Sequence, residues 1–218
     1  YCSDKAMLAL STLRVACGGH GYSAWNRFGN WRNAIDITRT LEGDNTVLYQ
    51  QVAKYLMQEY QQKYSGGNWF TNSLSYSANQ INEYFKSVQS YQFNSNVCDE
   101  WYITSLLEYR VQRLTHTAAI RYQNILKKLN EEELPKIDKV DYEKAQIKNA
   151  FYAWNHVQNH LIKASQASVE RDVANIFLNG IKRFQTKNTE NSSSVRILYS
   201  LWHLYTLTMI HNDIGWFV

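Results

Sequence analysis

Residues that break regular structure are scarce in this chain, whose 218 residues include one proline and nine glycines. A chain of average composition and this length would hold roughly 11 prolines and 15 glycines. A many-stranded sandwich or barrel needs a turn signal every ~8 to 12 residues, and this sequence cannot supply so many. The chain must therefore be built from long uninterrupted elements, which we predict to be helices.

Apolar residues recur at spacings of three and four over most of the chain, as they do on one face of a helix. The predicted helices cover residues 1–17, 46–64, 97–129, 139–165, 167–184 and 194–212. Short loops would join the last four as an antiparallel bundle. Asp44 and Asn45 are both suitable N-caps for the second helix. Residues 66–96 are rich in Ser, Asn and Gln, which predicts a connector between a domain at 1–65 and another at 97–218.

Charge and hydropathy make several classes of function unexpected. The net charge is only +4 and the sequence has no basic cluster, so nucleic acid is not an expected partner. No apolar run approaches the ~20 residues of a membrane span. His156 and His160 are four residues apart on a predicted helix. No third ligand accompanies them, so we expect a solvated face and no metal site.

Five of the nine glycines lie in residues 18–45, which we predict to be a long loop between two helices. A loop of that length is uncommon unless it carries function. Its segment GHGYSA (residues 19–24) matches the G-x-G-x-x-A dinucleotide fingerprint. That fingerprint requires a preceding strand, whereas a predicted helix precedes this segment. A Rossmann-type site is therefore not expected here.

Two motifs in this loop resemble those of a known enzyme family. ACGGHGY (residues 16–22) and LEGDNTVLYQQ (residues 41–51) resemble the paired motif of peroxisomal acyl-CoA oxidases. NRFGNWRN (residues 26–33) and EGDN (residues 42–45) are closer to the branched-chain, pristanoyl-type members. Residues 97–218 resemble the family's C-terminal helical domain more diffusely. The resemblance implies an all-α chain, in which the last helices of an acyl-CoA dehydrogenase-like bundle precede an oxidase-specific C-terminal bundle.

The resemblance also implies a flavoenzyme. In the family, a carboxylate removes the α-proton of an acyl-CoA thioester while the β-hydrogen leaves as hydride to FAD. 2-trans-Enoyl-CoA is released, and reduced FAD reacts with O2 to give H2O2. The family's base opens the EG(D/E)N motif and corresponds to Glu42 here, with Leu41 and Gly43 beside the substrate. Leu41 stands where the family usually has an aromatic residue, which would change the packing over the thioester or flavin.

Glu42 also has a simpler interpretation, as an acid that complements the dipole of the following helix. Gly18, Gly19 and His20 match the family segment that lies against the FAD of a neighbouring subunit. A helix C-cap would explain Gly18 or Gly19 but not both of them together with Gly21. For Asp44 and Asn45, the alternatives are an N-cap and a flavin contact. Three arginines of the loop either meet phosphates of FAD or CoA or are simply solvated: Arg27, Arg32 and Arg39.

By family resemblance we expect a peroxisomal homodimer that acts in fatty-acid β-oxidation. The chain begins within a helical pattern and without methionine, so we expect part of a longer protein. On its own, this part is expected to be inactive and to bind FAD weakly or not at all. Two alternatives remain open. One is a non-catalytic helical dimerisation or interaction module. The other is an acyl-CoA dehydrogenase that passes electrons to a protein, which the additional domain after residue 97 disfavours.

Overall fold

The computed structural model describes residues 1–64, 98–134, 141–187 and 192–216, together with positions 83 and 86. Six α-helices account for most of these residues: α1 Cys2–Ala16, α2 Phe28–Asp36, α3 Asn45–Tyr64, α4 Glu100–Glu133, α5 Tyr142–Lys187 and α6 Ser192–Asn212. This part of the chain contains no β-strand, only an isolated bridge between Leu41 and Gly43. The all-α prediction is confirmed. None of the helices in these ranges combines the length and hydropathy needed to cross a lipid bilayer.

The chain divides into two compact units, Tyr1–Val52 and Ala53–Val218, and α3 passes from the first into the second. The predicted connector, residues 66–96, lies outside the described residues apart from positions 83 and 86. The domain limits at 65 and 97 therefore stay predictions.

In the first unit, α2 and a 3₁₀ turn at Gly18–Tyr22 pack against α1. Gly21 is buried in this contact, and a Cβ at that position would lie 1.9 Å from the carbonyl oxygen of Arg14. Only glycine allows the backbone to approach so closely. The guanidinium of Arg14 also lies 4.2 Å from the ring centroid of Tyr22. This cation–π contact is a second link between the 3₁₀ turn and the end of α1.

Residues 18–45 are not the continuous loop that the glycines predict, because α2 lies in the middle of them. The helix follows Arg27, which has a left-handed φ of 58°. The side-chain Oδ1 of Asn26 accepts the backbone N–H of Phe28 at 3.0 Å, as capping side chains do at helix starts. Phe28 and Trp31 share a face and contact edge to face at 6.0 Å. These local contacts outweigh the low helix propensity of Gly29.

In the second unit, α4 and α5 are antiparallel. Three pairs of side chains define their register: Lys182 with Glu100 at 2.6 Å, Arg171 with Glu108 at 2.9 Å, and Asn149 with Asn130 at 3.1 Å. α6 packs on both helices, and the indole N–H of its buried Trp202 donates to the carbonyl of Ala174 at 2.9 Å. Apolar side chains from all three helices form the core around Trp202: Ile103, Leu107, Leu178, Ile181, Val195 and Met209.

α5 is one helix of 46 residues, so the prediction of two helices, 139–165 and 167–184, was wrong. Ser165, the last residue of the first of those predicted helices, is buried and donates its hydroxyl to the carbonyl of Leu161 at 3.0 Å. That bond satisfies the hydroxyl within the helix. Ala164 and Ala167 are also buried, and their small side chains allow the neighbouring helix to approach closely.

A buried arginine joins the three helices of the second unit. Arg110 of α4 donates to Glu170 of α5 at 2.7 Å and to Asp213, directly after α6. The side chains of Arg110 and Glu170 are almost fully removed from solvent. A charge that is buried in this way is stable only while its partner is present.

Candidate functional site

Glu42 lies at the tip of a tight turn in the first unit. The backbone N–H of Gly43 donates to the carbonyl of Thr40 at 3.1 Å, and Gly43 has a φ of +111°. Side chains other than hydrogen rarely tolerate that conformation. The turn leaves Glu42 exposed, and its carboxylate makes no hydrogen bond or ion pair with another residue of the described ranges. Glycine is therefore required at position 43, because only its positive φ allows the turn that leaves the Glu42 side chain exposed.

Asp44 is the N-cap of α3. Its Oδ1 accepts the backbone N–H of Thr46 at 2.8 Å, and its carbonyl accepts the N–H of Leu48 at 3.0 Å. The backbone hydrogen bond from Thr46 lowers the pKa of Asp44 from its usual 3.8. The choice between Asp44 and Asn45 as cap is thereby decided in favour of Asp44.

Asp4, in the first turn of α1, holds both ends of the turn that carries Glu42. Its Oδ1 accepts the Nε–H of Arg39 at 2.7 Å, and its Oδ2 accepts the side-chain amide of Asn45 at 2.8 Å. Burial raises the pKa of Asp4, but the hydrogen bonds from Arg39 and Asn45 and the charge of Arg39 outweigh this, so that the pKa falls below 3.8. The segment from Arg39 to Asn45 is therefore fixed on α1 by one carboxylate.

We expect Asp4→Asn to loosen the turn around Glu42. The amide cannot hold Arg39 by charge, and hydrogen–deuterium exchange of residues 40–46 is expected to quicken roughly five- to tenfold at neutral pH. Because the folded pKa of Asp4 lies below 3.8, its ionised form stabilises the fold above pH 3.8. That stability disappears as the pH falls through the lower folded value, so wild type and variant converge in strong acid.

Asp36→Asn is the matched control, since Asp36 also contacts Arg39 but at 3.4 Å and with a more exposed carboxylate. We expect little change in exchange for this variant. Equal exchange in wild type and Asp4→Asn would show that Asp4 does not hold the turn.

The other predicted segment, Gly18–His20, follows the end of α1 and is exposed. Gly18 has a left-handed φ of +56° directly after the C-cap Cys17, which is the usual place of glycine beyond a helix. Gly19 has no such requirement, and a Cβ there would meet no atom within 4 Å. The carbonyl of His20 accepts the side-chain amide of Asn26. Gly18 therefore has a structural role at the end of α1, whereas Gly19 leaves its backbone exposed at the surface without a side chain.

The two motifs rest on opposite ends of the same helix. Asp4 holds the Glu42 turn near the start of α1, and Gly21 packs on Arg14 near its end. Within the described residues, no hydrogen bond or ion pair joins residues 18–20 directly to residues 41–45, so the two motifs are linked through α1. Between the motifs, Trp25 is 96% exposed, and Leu41 beside Glu42 is 72% exposed. Each of these exposed apolar side chains is suited to contact with an apolar ligand or another protein segment.

The sequence patterns did not identify Asp4, since an acid in a first helical turn usually complements the helix dipole. Of the three loop arginines, Arg39 forms ion pairs with Asp4 and Asp36. Arg27 and Arg32 are exposed and form no ion pair with any residue of the described ranges. Among the residues that the structure describes, no group of three or more His, Cys, Asp or Glu side chains is placed to hold a metal ion.

Comparison with known proteins identifies the family. The model of the acyl-CoA oxidase C-alpha1 domain matches residues 1–57, and the acyl-CoA oxidase model matches residues 99–218. This chain belongs to the acyl-CoA oxidase family. The oxidase resemblance of the glycine and EGDN motifs is thus confirmed.

Individual relatives agree with this assignment. The peroxisomal acyl-coenzyme A oxidase 2 of Arabidopsis thaliana is 33% identical over 99% of this chain and 28% of its own length. The human peroxisomal acyl-coenzyme A oxidase 1 is 28% identical over 100% of this chain and 30% of its own length. The crystal structure of acyl-CoA oxidase 3 from Yarrowia lipolytica superposes with a TM-score of 0.67 at 20% identity, over 97% of this chain and 26% of that one.

The chain therefore spans less than a third of the length of these relatives. The similarity to the Yarrowia structure supports the all-α fold. The relatives do not distinguish a branched-chain from a straight-chain member, so the pristanoyl-type assignment stays a prediction.

Proposed function

We propose that this chain is the C-terminal part of an FAD-dependent acyl-CoA oxidase, which converts acyl-CoA and O2 to 2-trans-enoyl-CoA and H2O2. Its proposed setting is peroxisomal fatty-acid β-oxidation, and the enzyme is proposed to act as a homodimer. The observation that carries the proposal is the exposed position of the Glu42 carboxylate. This carboxylate lies on a glycine turn directly before a capped helix, and Asp4 holds both flanks of that turn.

In this proposal Glu42 is the general base. A thioester α-proton is weakly acidic, so the base must come within ~3 Å of it and the developing enolate needs hydrogen-bond donors. The carboxylate takes the proton, and the backbone N–H of Glu42 donates to the thioester oxygen. Gly43 permits the turn that brings the backbone close to the thioester. Leu41 offers its exposed side chain to the apolar part of the substrate.

Gly18, Gly19 and His20 are proposed to contact the cofactor. The open space beside Gly18 and Gly19 fits a backbone that approaches a large anionic group. FAD, when bound, supplies the acceptor for the β-hydride and passes the electrons to O2. Asp44 and Asn45 have less to contribute, because Oδ1 of Asp44 caps α3 and the amide nitrogen of Asn45 is bonded to Asp4 and Ser3.

The test uses the full-length enzyme that contains this chain. Under anaerobic conditions, palmitoyl-CoA is expected to bleach the flavin absorbance, and admission of O2 is expected to restore it with one H2O2 per enoyl-CoA. Bleaching without peroxide would instead identify a dehydrogenase that needs a protein acceptor. Absence of bleaching with every acyl-CoA would leave only a non-catalytic helical module.

Two further measurements refine this test. A comparison of palmitoyl-CoA with 2-methyl-branched acyl-CoA tests the predicted pristanoyl-type preference. The 218 residues expressed alone are expected to show no turnover, and peroxide release by them would contradict the proposed need for the rest of the enzyme.

A further inference from the structure

A cavity of about 410 Å³ lies between α4 and α5 in the second unit, and its polar lining is basic. α4 contributes Arg121, and α5 contributes His156, His160 and Lys163. No aspartate or glutamate lines the cavity. Arg121 and Lys163 are exposed and form no ion pair with any residue of the described ranges. The cavity therefore combines two uncompensated cations with two imidazoles.

The amides of Asn124 and Asn159 complete the polar lining. The Nδ1–H of His156 donates to the carbonyl of Tyr152 at 2.8 Å, which leaves the opposite side of the ring to face a ligand. Desolvation lowers the pKa of His160, as do the charges of Arg121 and Lys163, while a backbone hydrogen bond with Leu114 opposes the change. Arg121, Lys163 and His160 therefore lie close enough for both positive charges to act on this imidazole.

The backbones of α4 and α5 determine where these side chains begin. Arg121 and Asn124 are three residues apart on α4, while His156, His160 and Lys163 are four and three residues apart on α5, so each set shares a face. The packing of Ala118 on Val157 and Leu161 sets the register of the two helices next to the cavity. Sites built on packed helices are more precise than sites on loops.

We propose that this cavity binds a phosphorylated small molecule through a pyrophosphate group. The fork of Arg121, the ammonium of Lys163 and the two side-chain amides are donors that suit phosphate oxygens. A metal ion would be repelled by the two cations. The volume of about 410 Å³ lies within the ~300–1,000 Å³ of small-molecule pockets, which favours a small ligand over a protein face.

Two sources could supply the pyrophosphate group, a free nucleotide or coenzyme A itself. The shared chemistry is tested first by isothermal titration of the full-length protein with sodium pyrophosphate. We expect saturable binding with a Kd of about 0.1 mM or tighter, weakening with NaCl as the attraction is screened. Competition by ADP and by free CoA then distinguishes the two sources.

Arg121→Gln/Lys163→Gln is expected to weaken pyrophosphate binding roughly 30-fold, because two charge-assisted hydrogen bonds are lost. Lys127→Gln/Arg183→Gln removes one exposed cation from each of the same helices, outside the cavity lining, and is expected to bind like wild type. Circular dichroism checks that both variants are folded.

The proposal is overturned if pyrophosphate shows no saturable binding to the wild type, or if both double variants weaken it equally. Binding of an acidic peptide without binding of pyrophosphate would also overturn it. None of these outcomes depends on acyl-CoA oxidation, so a failure here is distinguishable from a failure of the proposed oxidase function.

Discussion

Glu42→Gln in the full-length enzyme is expected to lower peroxide formation from palmitoyl-CoA by roughly 10³-fold, within the range that general base catalysis supplies. Glutamine keeps the volume of the side chain and the backbone N–H but cannot accept the α-proton. Glu42 is exposed and makes no hydrogen bond or ion pair with another residue of the described ranges. The substitution therefore tests chemistry with little cost to the fold.

The measurement is kcat for H2O2 release, with the flavin content of each preparation determined from its absorbance. Glu59→Gln is the control, because Glu59 is an exposed acid on α3 whose bond from the Tyr55 hydroxyl a glutamine can still accept. Its activity is expected to match the wild type. Near-normal activity in Glu42→Gln with flavin bound would mean that another residue is the base.

Arg110→Met is expected to lower the free energy of unfolding by about 3 to 5 kcal/mol, the usual effect of removing one partner from a buried ion pair. Methionine fills much of the volume but leaves the carboxylates of Glu170 and Asp213 without their cation. Glu170 suffers most because it lies deep between the helices, whereas Asp213 is more exposed and can turn to water.

Urea denaturation at pH 7, followed by circular dichroism, measures this effect. Lys182→Met is the contrast, because the Lys182–Glu100 pair is about half exposed at its lysine and its loss is expected to cost about 1 kcal/mol or less. Adding Glu170→Gln to Arg110→Met is expected to recover part of the stability, since the unpaired buried charge disappears. Equal losses in Arg110→Met and Lys182→Met would show that burial does not strengthen the Arg110 network.

Much of the fold followed from local patterns. The scarcity of proline and glycine predicted helices, and the apolar spacing located α1, α3, α4 and α6 to within a few residues. The two failures were also local. The glycines predicted a loop where α2 forms, and a break was predicted after Ser165 where α5 continues. In both places a hydrogen bond to a nearby side chain or carbonyl outweighed the average preference of the residue type.

For the candidate site, the motifs located Glu42 and the glycines but not the residues that hold the Glu42 turn in place. The pairing of Asp4 with Arg39 and Asn45 joins residues that are 35 and 41 positions apart, which no local pattern reveals. The basic cavity has the same character. Arg121 and Lys163 are 42 positions apart along the chain and line one cavity only because α4 and α5 pack in register.

The sequence by itself determined the helical class, the family and the position of the glutamate, because these depend on composition, on contacts within one turn of helix and on contiguous motifs. The tertiary structure alone decided which carboxylate holds the Glu42 turn, that Arg110 is a buried link, and that two helices line one basic cavity. Those features arise from pairs of side chains that are distant along the chain. Their free energy depends on burial and register, which exist only after the helices have packed.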